Sequence, residues 1–75
     1  MSLSDFVIHI DENLNELEVK EAETVANACT GVVSAHINNH HRHLMVVAYD
    51  PSLGCSSHIL GAVRSLGLHG QLLGL

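Results

Sequence analysis

Phe6, Ile8 and Ile10 alternate with Val7 and His9, the two-residue period of a half-buried strand, and predict a first strand over 6–10. A polar stretch, 11–15, follows. In it Asn13 with Glu16, or Asn15 with Glu18, stands at capping-box spacing, with Asn in place of the usual Ser or Thr. Leu14, Glu18, Ala22, Val25, Ala26 and Cys29 then fall on one face at helical spacing, Glu16 and Lys20 stand at i,i+4, and Gly31 supplies a stop. A helix is expected over about 15–29. Two segments rich in β-branched residues, 32–38 and 44–50, flank Asn39, His40, His41, Arg42 and His43, a length suited to a hairpin loop. Asp50-Pro51 ends the third strand, and Ser56 or Ser57 is placed to cap a second helix with Ile59, Leu60, Val63 and Leu66 as its apolar face. Gly67 ends that helix, and a short strand over 69–73 closes the chain.

The order β-α-β-β-α-β predicts an α/β (α+β) domain of ferredoxin-like type, a four-stranded antiparallel sheet with two helices on one face. One domain over 1–75 is expected, since 75 residues suffice for a single small core. Positions 44–49 are all apolar, so whichever alternate set faces the helices, the other leaves Val or Met on the outer side of the sheet, beside Val7. Which set is buried stays open, because a hairpin loop one residue longer or shorter reverses it.

The net charge of −5, with Lys20, Arg42 and Arg64 scattered along the chain, removes the electrostatic footprint of a phosphate binder and excludes nucleic acid as a partner. No apolar run approaches the roughly 18 residues of a membrane span, and no basic region precedes an apolar stretch at the N-terminus. A cytoplasmic protein without membrane insertion is expected. Cys29 and Cys55 lack CxxC spacing and read as free thiols, Cys29 on the apolar side of the first helix and Cys55 in an exposed loop. Glu16, Glu18, Glu21 and Glu23 suit the positive end of that helix's dipole, so they form a solvated stabilising face rather than a binding site.

His36, His40, His41 and His43 lie within eight residues of a chain that holds seven histidines. Histidine is the commonest metal ligand. In the predicted topology the loop after the first strand, the hairpin and the loop before the last strand share one pole. Asp11, Glu12, His40, His41, His43 and His69 form the candidate ligand set. Imidazole with carboxylate suits Zn(II), Ni(II), Co(II) or Cu(II) rather than Cu(I). His36 is expected to face outward, and His9 projects from the side opposite Phe6, Ile8 and Ile10. Cys55 and His58, at C-x2-H spacing near the other pole, supply too few ligands for a metal. They also lack the positioned third group that nucleophilic catalysis needs, so no enzyme is expected. The glycines do not fall at phosphate-loop spacing.

Thr30-Gly31-Val32-Val33, Val46-Val47-Ala48-Tyr49-Asp50-Pro51 and Ser65-Leu66-Gly67-Leu68, in that order and spacing, resemble the heavy-metal-associated domain family of copper chaperones and metal-ATPase N-terminal domains. The resemblance runs from Phe6 to the end of the chain and implies a metallochaperone-like protein that handles metal. The family's GMxCxxC loop, whose thiolates grip Cu(I), has no counterpart; its cysteine positions fall at about Asn15 and Glu18. Leu68 stands where the family usually has an aromatic residue. The expected function is therefore metal binding through histidine and carboxylate. The alternative is an interaction or assembly module that kept the fold, docking a protein partner or a second copy through the outer sheet face.

Overall fold

A computed structural model describes residues 3–73. Its elements are β1 (Ser4–Ile10), α1 (Glu16–Asn27), β2 (Val32–Asn38), β3 (His41–Tyr49), α2 (Ser56–Arg64) and β4 (Gly70–Leu73). The strands form one antiparallel sheet in the order β2-β3-β1-β4. This is the ferredoxin-like arrangement, with β1 central and β2 and β4 at the edges.

The alternation of β1 is kept, with Phe6, Ile8 and Ile10 buried. In β3, Met45 and Val47 are buried while Val46 is 48% exposed, which decides the alternative that the sequence left open. Ala22 and Ala26 of α1 and Ile59, Leu60 and Val63 of α2 close the core over the sheet. Val19, absent from the expected apolar face, is buried, whereas Glu18 is turned to the cap. Asn15 is the N-cap of α1: its Oδ1 accepts from the Glu18 N–H at 2.8 Å and Glu18 Oε1 accepts from the Asn15 N–H at 3.1 Å, a complete capping box. This selects the second of the two expected registers. The helix ends at Asn27, before Cys29, whose half-buried side chain packs on the core.

Two expectations are corrected. The hairpin loop is not 39–43 but the two residues Asn39 and His40, because Asn38 pairs with His41 and β3 begins there. The N-cap of α2 is Cys55, not Ser56 or Ser57, and it makes no side-chain capping bond. At the pole opposite the hairpin, Gly31 takes a left-handed φ of 88°, open only to glycine at low cost. A Cβ on Gly54 would meet the Thr30 carbonyl oxygen at 2.2 Å, so the chain crosses itself there only with glycine present.

Candidate functional site

Antiparallel pairing of β1 with β3 and β4 brings the end of β1, the hairpin and the start of β4 to one pole. Asp11 N–H donates to the His69 carbonyl at 3.0 Å, extending the β1–β4 ladder one residue into the loops. Glu12 completes the junction. Its Oε1 accepts from the His69 backbone N–H at 2.8 Å and its Oε2 meets His69 Nδ1. The ring bond lowers the Glu12 carboxyl below the usual carboxylate range, and the same bond raises the His69 imidazole above its ordinary value. The carboxylate accepts, so Nδ1 carries the proton and the neutral ring keeps its Nε2 lone pair free.

His43 is held differently. Its Nδ1 lies 2.7 Å from the Ile10 carbonyl oxygen, across from β1. His40, in the turn, has its backbone N–H bound to Asn38 Oδ1 at 2.8 Å, and His41 is exposed at the first position of β3. The six residues Asp11, Glu12, His40, His41, His43 and His69 therefore share a pole, but among the described residues no three His, Cys, Asp or Glu side chains stand close enough to hold one ion together. Of these six, Glu12 and His69 are in side-chain contact, and the two-residue turn places His41 and His43 in β3 rather than in a loop. An open pocket of about 460 Å³ beside this pair is lined by Asp11, Leu68, His69 and Gln71, and also by Arg64. The Arg64 guanidinium donates through Nε to the Gly70 carbonyl at 3.0 Å, which places a fixed cation on that side.

His9, left out of the expected set, takes part at this pole. Its Nδ1 lies 3.2 Å from Asp11 Oδ1, and its ring stacks on that of His43 with centroids 5.9 Å apart and planes 15° from parallel. Period-two alternation put His9 and Asp11 on one side of the strand, so that contact was available in the sequence. The meeting with His43 was not. His36 faces outward as expected, with its Nδ1 3.4 Å from Glu23 Oε2. Cys55 and His58 line a pocket at the other pole with Thr30, Ser52 and Leu53. The Ser57 hydroxyl beside the Cys55 thiol lowers its titration, while burial raises that of Cys29.

Comparison with solved structures gives a CopZ metallochaperone at a TM-score of 0.83 and 22% identity, covering 91% of this chain and 100% of that one. Oxidized MerP from Ralstonia metallidurans CH34 superposes at 0.87 with 10% identity, covering 97% and 100%. The apo copper chaperone of Enterococcus hirae gives 0.82 and 16%, covering 91% and 98%. The fold is that of the heavy-metal-associated domains. No protein-family model matches the chain, and no curated protein matches it in sequence. Asn15 and Glu18 close on each other as the α1 cap. Among the described residues no helix is long and apolar enough to cross a membrane.

Proposed function

We propose that the chain is a non-catalytic metal-handling domain that takes a divalent ion through imidazole and carboxylate donors at the pole of the β1–α1 loop, the β2–β3 turn and the α2–β4 loop. The donor pool is Asp11, Glu12, His40, His41, His43 and His69, and the ion is Zn(II), Ni(II), Co(II) or Cu(II). Cu(I) is disfavoured, because the soft thiolates it selects are replaced by Asn15 and Glu18. The observation that carries the reading is the Glu12–His69 pair: a carboxylate holding Nδ1–H and leaving Nε2 free is the usual support of a metal-ligating histidine. The names of two superposed structures, a metallochaperone and a copper chaperone, favour metal handling.

An amide NMR titration of the reduced protein with each divalent ion, alongside Cu(I), tests it. Saturable shifts spanning 11–15, 39–43 and 67–70 are expected, together with an affinity loss of about tenfold or more in His69→Ala. Shifts that are absent, or weak broadening confined to residues 40–43, would retire the reading. A second reading rests on the outer sheet face, where Leu73, Val7 and Val46 pair in one cross-strand row. Val46 and Leu73 are 48% and 40% exposed, and a protein partner or a second copy would cover them.

A further inference from the structure

His43 Nδ1 faces a backbone carbonyl, which can only accept, so Nδ1 carries the ring proton and the neutral ring's Nε2 keeps its lone pair. The Asp11 carboxylate beside His9 Nδ1 favours the same tautomer there. Metal-ligating histidines almost always donate their other ring N–H to a carboxylate or a carbonyl, which fixes the tautomer and raises ligand basicity. The His43 ring has that support, and at His9 the Asp11 carboxylate stands 3.2 Å from Nδ1.

The backbone that places His43 is irregular. Ile37 pairs with Met45 and the next residue, Asn38, pairs with His41, so Arg42, His43 and Leu44 of β3 have no β2 residue opposite. Bulges of this kind re-aim side chains and concentrate beside functional sites. Here the bulged segment contains His43, while the β1–β3 ladder holds its neighbour Leu44 opposite His9.

We propose that His9 and His43 form a two-imidazole chelate for a divalent borderline cation, binding through their Nε2 atoms with Asp11 and the Ile10 carbonyl as positioning groups. The proposal rests on the metal-handling reading and adds a donor from within β1. Metal–nitrogen bonds of about 2.0–2.1 Å put two nitrogens on one tetrahedral ion about 3.3 Å apart. Rings with centroids 5.9 Å apart therefore tip together on binding, and the His9 side chain, 39% exposed, has room to move. Water completes the coordination.

Long-range proton–nitrogen NMR of the imidazoles in the full chain, before and during titration with Zn(II), tests this. Without metal, His9 and His43 are expected as Nδ1–H tautomers. With Zn(II), the two Nε2 resonances should move on one saturation curve. His9→Ala should weaken Zn(II) binding about tenfold or more, His36→Ala should leave it unchanged, and His9→Ala with His43→Ala together should lose little beyond either alone, as partners in one site do. His9 is partly exposed, so His9→Ala decides the matter even where His43→Ala disturbs the fold. Zn(II) binding that His69→Ala weakens and His9→Ala does not would overturn the chelate and leave the loop-pole reading standing. No saturable Zn(II) shift anywhere would overturn both.

Discussion

Glu12 accepts two bonds from His69, one from the backbone and one from the ring, and this makes the junction of the two loops depend on pH. His69 titrates above its ordinary value in the folded chain because of the Glu12 bond. Its contribution is therefore complete below the unfolded value of about 6.5 and is lost as pH rises through the raised folded value. Glu12 titrates below its ordinary value, chiefly through the His69 ring bond. Its contribution is present above about pH 4.3 and is lost as pH falls through the lowered folded value. The difference in urea midpoint between the wild type and Glu12→Gln should thus be widest between about pH 4.3 and 6.5 and shrink on either side. A difference independent of pH would mean that the pair does not form in solution.

Among the elements, α1 does more than cover the sheet. Asn27 Oδ1 accepts from the Ala35 N–H at 3.0 Å while its Nδ2 donates to the Ala35 carbonyl at 3.1 Å, so one amide side chain pairs with the edge strand β2 as a neighbouring strand would. Glu23 Oε2 accepts from the Ile37 N–H at 2.8 Å. Together they occupy outward backbone groups of Ala35 and Ile37, of the kind that make an edge strand a template for aggregation. Asn27→Ala leaves a donor and an acceptor at Ala35 without protein partners. It should cost about 1–3 kcal/mol in urea unfolding and increase association at high concentration. The helix pattern in the sequence showed neither role: Glu23 reads as one of a run of solvated glutamates, and Asn27 as an ordinary polar position.

At the scale of the whole molecule, a single core is closed by residues from five of its elements together with Leu14 of the β1–α1 loop, and the outer sheet face is left with the Leu73, Val7 and Val46 row. Light scattering over a wide concentration range tests the assembly reading. A dimer mass that Val46→Asp returns to the monomer would support a second copy on that face, and a monomer at every concentration would remove it. Much of the architecture was legible beforehand. The strand alternation in 6–10 and the capping-box spacing that includes Asn15 are local signals, carried by residues that touch their near neighbours, whereas α1 ends at Asn27, ahead of the stop expected at Gly31. The hairpin was misread because His41, Arg42 and His43 look like loop residues, while the ladder with β1 and the Asn38–His41 pair hold them in a strand.

The sequence by itself determined the element order and the buried set of β1, since periodicity and caps act over a few residues. Only the tertiary structure decided that Met45 and Val47 face inward, that Glu12 meets His69 57 positions away, and that His9 stacks on His43. Those meetings depend on strand register and on one bulge. A one-residue slip in register exchanges the two faces of a strand, and the balance that selects the register is spread over the core and the hydrogen-bonded ladder rather than written in any short stretch of chain.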